Sequence, residues 1–153
     1  MSVQSIKKKI IWILLISFLL IFESIAKETF LSIKKNKVNV RYGPGFDYPI
    51  KYIYKKINLP VKLIDKKENF RRIIDIKNNN GWVHISQLKK STSIIILKNK
   101  ILFKKPSNFS KPILRLEKGR LLIVKKCQKN WCKIKTDNYS GWVKKNNIWG
   151  YTN

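Results

Sequence analysis

The chain is poor in the residues that do chemistry. It has one histidine, two cysteines, six glycines and eight acidic residues in a length of 153. A Cys/His or Ser/His hydrolase would have to use His84, which stands in a predicted strand, has no motif around it, and is matched by Lys144 in the second half of the chain. Metal sites need clustered His, Cys and carboxylate donors, and no such cluster is spaced for ligation here, so neither a metal nor a cofactor is expected. The nearest acidic pair, Asp65 and Glu68, suits a hairpin loop better than paired-carboxylate catalysis. No window of a dozen residues carries an apolar stripe at helical spacing, which excludes a helical bundle. The expectation is an all-β protein that is not an enzyme.

What is abundant is lysine. Lys and Arg number 34, for a formal charge of +26, and 29 of them are Lys against only five Arg. A nucleic-acid site favours Arg, whose planar fork makes bidentate contacts. The Lys excess accompanies 24 Ile and 14 Asn, a bias that A/T-rich codons produce without selection for binding. Nucleic acid is therefore not an expected partner. Attraction to anionic envelope surfaces is expected, fading as salt rises.

The one long hydrophobic run is at the start. Lys7, Lys8 and Lys9 precede Ile10 to Phe22, apolar but for Ser17, and Ser24-Ile25-Ala26 follows. About 20 apolar residues are needed to span a bilayer as a helix, and this run is shorter. The order of charge, apolar core and small residues predicts a signal peptide over residues 1–26, cut after Ala26, with an uncleaved anchor as the other reading. Removing it takes away three Lys and one Glu and leaves a net +24, on a protein expected to be periplasmic or secreted.

The remainder repeats. Val38-Asn39-Val40 alternates, Val61 to Ile64 and Phe70 to Ile74 are short apolar runs, and Gly81-Trp82-Val83 opens a strand after the Asn78-Asn79-Asn80 turn. Gly141-Trp142-Val143 echoes that last strand, and Phe109 to Gly119 echoes Phe46 to Lys56. Short strands between turn signals predict two small antiparallel barrels, over residues 31–90 and 94–151. At about 60 residues each, such barrels bury a modest core and are marginal alone. Ile94-Ile95-Ile96-Leu97, apolar throughout, is the expected packing strand between them.

The stretches VNVRYGPGFDYPI, LPVKLIDKKENFRRI, GWVHISQL and CQKNWCKI with GWVKKNNIWGY resemble bacterial SH3-like domains, and in particular short exported bacterial proteins that carry two in tandem. The resemblance covers nearly all of the chain after residue 26. It implies partly open barrels of five or so strands, and an envelope protein that binds a cell-wall peptide or glycan, or an extended segment of another envelope protein. A structural or assembly role through protein contacts alone is the alternative. Phe70 stands where the family often has Trp, and Trp142 where it often has Tyr, so both positions keep a large core aromatic. In the second repeat Pro106-Ser107-Asn108 replaces Gly43-Pro44-Gly45, which implies that the turn is lost there.

The candidate site is that first turn, made of Arg41, Tyr42, Gly43, Pro44, Gly45 and Tyr48. Pro44 presets one turn dihedral, and Gly45 is expected to take the positive φ of a type II turn. Two readings are open. As a corner, the aromatics cap the barrel and Arg41 pairs with Asp47; as a groove, they receive an extended peptide or a sugar ring. Trp82 and Trp142 are expected in the cores. Trp131, Trp149 and Tyr151 are expected between barrels or over a barrel end. Cys127 and Cys132 flank a four-residue loop in an exported chain, and are expected to be bonded across one hairpin.

Overall fold

The computed structural model describes residues 28–151. The signal-peptide reading, with its cut after Ala26, lies outside the described residues. Strands β1 (Phe30–Ile33), β2 (Val38–Arg41), β3 (Ile50–Tyr54), β4 (Pro60–Lys67), β5 (Phe70–Ile74), β6 (Asn80–His84) and β7 (Leu88–Lys90) form one antiparallel sheet, with a 3-10 turn at Ile85–Gln87 before β7. A second sheet holds β8 (Ser93–Ile96), β9 (Lys100–Phe103), β10 (Pro112–Leu116), β11 (Leu121–Gln128), β12 (Trp131–Thr136), β13 (Tyr139–Lys144) and β14 (Ile148–Gly150). The spatial orders, β3-β2-β6-β5-β4-β1-β7 and β10-β9-β13-β12-β11-β8-β14, are the same topology used twice. Each unit therefore has seven strands rather than the expected five or so. The extra ones are short, and the three-residue β7 and β14 carry too few positions for alternation to mark them.

The alternation of β2, β6 and β12 sorts side chains to two faces. Val38, Val40, Val61, Ile73 and Val83 meet in the first core, and Ile94, Ile96, Leu102, Leu116, Leu122, Ile134 and Val143 in the second. Each fully buried aliphatic contributes on the order of 1.5–3 kcal/mol. The Gly of each Gly-Trp-Val motif lets two strands close up. A Cβ at Gly81 would lie 2.4 Å from Val40 Cγ1, and one at Gly141 2.7 Å from Leu102 Cγ.

Between β5 and β6 the buried Asp75 organises the turn. Its carboxylate accepts from the backbone N–H groups of Lys77 and Asn79, from the Asn79 side-chain amide, and from the Tyr54 hydroxyl at 3.1 Å. Burial, then the neighbouring Tyr52 hydroxyl and Asp75, pushes the Tyr54 phenol far above its ordinary range, so it remains a donor.

The barrels meet where β8 and β14 adjoin β4; all four residues of β8 are buried, Ile94 and Ile96 within the second barrel's own core. Trp149 lies edge-on to Phe30 with ring centroids 5.0 Å apart, and its indole N–H donates to Pro60 O at 3.1 Å. Ser93 donates to Asn58 O, so the Ser32 hydroxyl, 2.9 Å from that of Ser93, is left as the donor between the two. Trp149 and Tyr151 thus sit at the joint, where the Tyr151 N–H donates to Ser91 Oγ.

Cys127 and Cys132 face each other across the β11–β12 hairpin and are bonded, as their placement predicts. The loop is small, so the bond's stabilisation is about 2 kcal/mol. Reduction is expected to lower the thermal midpoint by that equivalent while keeping one cooperative transition, read by circular dichroism with and without reductant. An unchanged midpoint contradicts this.

Candidate functional site

The loop from Tyr42 to Pro49 joins β2 to β3 and is closed by two backbone bonds, Tyr42 N–H to Pro49 O at 3.2 Å and Gly45 N–H to Gly43 O at 3.1 Å. Neither glycine lies in the left-handed region, so the expected type II turn is not formed. The glycines serve a different purpose. A Cβ at Gly43 would lie 2.2 Å from Tyr48 Cδ1, and one at Gly45 would lie 2.3 Å from Asp47 Oδ1 and 3.1 Å from Tyr48 Cδ2. The bare backbone on either side of Pro44 is the seat of the Tyr48 ring.

Arg41 locks that arrangement. Its Nη1 donates to Phe46 O at 3.0 Å and to Tyr48 O at 2.7 Å, and its guanidinium stands 5.6 Å from the Phe46 ring centroid. The ion pair with Asp47 expected of a structural corner is not made, because the carbonyls of the loop are nearer and fixed. The aromatics are not core either. Tyr42 is 63% exposed, Phe46 66% and Tyr48 42%, and on β3 next to them Ile50 and Ile53 are exposed as well.

Beside the turn lies a polar hollow of ≈ 270 Å³, walled by Arg41, Tyr42, Lys51, Arg72, Asn80 and Trp82. Lys51 Nζ donates to Asn80 O at 3.0 Å and lies 5.6 Å from the Tyr42 ring centroid, and Arg72 reaches the Asn80 side chain at 3.5 Å. The ion pairs among the described residues, Lys62 with Glu28 and Arg120 with Asp137, lie elsewhere. The lining of the hollow thus holds three cations and no carboxylate, an arrangement that attracts an anionic group.

Lys51, Arg72 and Trp82 were not legible as site residues. Trp82 was expected in the core with Trp142, yet only Trp142 is buried. The difference is in the cross-strand partners. Trp82 is flanked by Arg41 and Arg72, whereas Trp142 is flanked by Phe103 and Lys133, and Lys126 Nζ lies over its ring, 5.8 Å from the centroid. The sole histidine belongs to an aromatic cluster, its ring centroid 5.1 Å from Phe46 and 5.2 Å from Phe70. Its Nδ1 faces Ser86 and accepts from the Ser86 N–H, capping the 3-10 turn. Among the described residues no group of three or more His, Cys, Asp and Glu side chains comes together.

The second repeat keeps the turn, contrary to expectation, one residue earlier than the sequence echo suggests. Lys104 N–H bonds Lys111 O, and Ser107 N–H bonds Lys105 O, as Tyr42 and Gly45 do in the first repeat. Strand ends pair Arg41 with Ile50 and Phe103 with Pro112, which aligns Pro44 with Pro106 and Tyr48 with Ser110. With no ring to seat, Lys105 and Ser107 stand where the glycines were.

A model of the bacterial SH3 domain matches residues 34–90 and 98–150. No curated protein matches the chain. Solved structures similar to it include NlpC2 and NlpC1 from Trichomonas vaginalis, each 12% identical with a TM-score of 0.38, covering 84% and 82% of this chain and 50% and 47% of theirs. An NlpC/P60 family protein from Bacillus cereus ATCC 10987 is 14% identical with a TM-score of 0.35, over 80% of this chain and 57% of its own. The chain thus spans about half the length of these structures. With both repeats matched by one model, the chain belongs to the bacterial SH3 domain family.

Proposed function

We propose that this protein is an exported, non-catalytic binding protein of the bacterial cell envelope, and that its first repeat takes up an extended peptide of the cell wall. Bacterial SH3 domains are generally binding modules and often bind peptidoglycan. The observation that carries the reading is the exposed but immobilised Tyr48, held on two glycines and by the Arg41 clamp. Ordering an aromatic before the ligand arrives lowers the entropy lost on binding.

The peptide runs along the outer edge of β3, the end strand of its sheet, where backbone groups are open to another strand. Tyr42 and Tyr48 offer apolar contact at one end. A carboxylate of the ligand enters the hollow among Arg41, Lys51 and Arg72, where charge-assisted bonds hold it. A glycan at this turn, or a segment of another envelope protein, would use the same rings without that anchor.

Incubation with purified cell wall tests the proposal. Retention that survives moderate salt, and competition by soluble wall peptides, are the expected results. Retention abolished by salt reduces the interaction to net charge. Release of soluble wall fragments overturns the non-catalytic reading, and absence of retention favours a protein that makes only protein contacts.

A further inference from the structure

The two repeats treat one position differently. In the first, Phe70 and His84 are cross-strand partners and form a shelf, on which Phe46 of the turn lies with centroids 5.2 and 5.1 Å away. In the second, the partners at that register are Trp131 and Lys144. Phe103 meets the Trp131 ring edge-on at 5.7 Å, and Lys144 Nζ lies 5.8 Å from its centroid. Turn alignment puts Asn108 where the first repeat has Phe46, and the next residue, Phe109, is 100% exposed. No ring of the turn lies on that pair as Phe46 does in the first repeat. A cavity of ≈ 510 Å³ opens instead between Pro106 at the turn and Gln128 to Trp131 at the hairpin tip.

The wall of that cavity is covalently fixed. The Cys127–Cys132 bond closes the hairpin whose tip lines it. At the equivalent register the first repeat has Lys66 and Arg71, with no such tie. The filled shelf is unstapled and the empty one is stapled, so rigidity accompanies the vacancy. Preorganisation of this kind serves binding.

We infer that Trp131 and its surroundings form a second binding site, for a pyranose ring of an amino-sugar glycan. The indole and Pro106 offer an apolar wall. Around them, at the exposed hairpin tip, stand the amides of Gln128 and Asn130 and the ammonium of Lys129. A sugar ring presents an apolar face with hydroxyl and acetamido edges, which meets both demands. A phenyl ring would meet the indole and make no use of these polar groups. The choice of polymer rests on the envelope-binding reading; the geometry of the slot does not.

The test uses the ¹⁵N-labelled chain without residues 1–26, titrated with tetra-N-acetylchitotetraose, following indole N–H signals and assigning Trp131 through Trp131→Phe. A saturable shift of the Trp131 signal is expected. Trp131→Ala should weaken binding about tenfold or more. Asn108→Phe should do the same by filling the shelf as Phe46 does, while the exposed position leaves the thermal transition in place. Tyr42→Ala with Tyr48→Ala should change nothing here. A stationary Trp131 signal, or binding indifferent to both Trp131→Ala and Asn108→Phe, overturns the inference. A shift at Trp82 instead assigns the glycan to the first repeat and likewise overturns it. Wall retention that persists without a Trp131 response leaves the peptide-binding proposal standing, so the two failures are distinguishable.

Discussion

Tyr42→Ala combined with Tyr48→Ala is expected to weaken retention on cell wall by about 1–3 kcal/mol, the usual range for aromatic hot spots, or roughly 5- to 150-fold in affinity. The thermal transition should be nearly unmoved, because both rings are exposed and neither joins the buried cluster of the first barrel. Gly43→Ala reaches the same result by another route. Its Cβ would occupy the space of the Tyr48 ring and expel it, so affinity should fall although both tyrosines remain. Lys105→Ala, at the position equivalent to Gly43 in the second repeat, removes a surface charge and should alter only the salt dependence. Sedimentation with wall fragments across a salt series reads all three. Loss of the thermal transition in the double variant would show that the rings hold the barrel together, and the turn would then be a corner.

The second large effect is on stability. Trp149→Ala is expected to destabilise the protein by about 3 kcal/mol, the low end for Trp truncation because this ring is only half-buried. The indole supplies the edge contact to Phe30 and the bond to Pro60 O, which join the last strand of the second sheet to the first barrel. Units of about 60 residues are marginal alone. Loosening their joint should therefore separate one calorimetric transition into two, the lower belonging to the weaker barrel. Trp149→Phe, which keeps a ring but no donor, should fall between. A single transition at an unchanged midpoint would show that the barrels do not stabilise each other through this residue.

Several features are readable in the sequence because their causes are local. Val38-Asn39-Val40 alternates in the sequence and in burial, and Ile94 to Ile96 are apolar and buried. Cys127 and Cys132 lie on the two arms of one short hairpin, and turn length brings them opposite each other. The position of the aromatic turn was equally legible, since Gly-Pro-Gly between two strands leaves few alternatives. What Gly43 and Gly45 are for was not, because the ring that needs them, Tyr48, follows the turn and its direction depends on the Arg41 clamp.

By itself, then, the sequence determined the all-β class, the repeat, the disulfide and the place of the first turn, the last two set by residues within a few positions of one another. Register belongs to the tertiary structure. It puts Arg41 and Arg72 on either side of Trp82 but Phe103 beside Trp142, so one Gly-Trp-Val presents its indole to a hollow and the other buries it. It also slides the second turn by one residue, leaving Asn108 where Phe46 lies on its shelf, so that no ring of the turn lies on Trp131. Pairing across a sheet is decided by the summed fit of both strands and their loops. A shift of one position reverses which face of the sheet each side chain takes, and no local pattern records it.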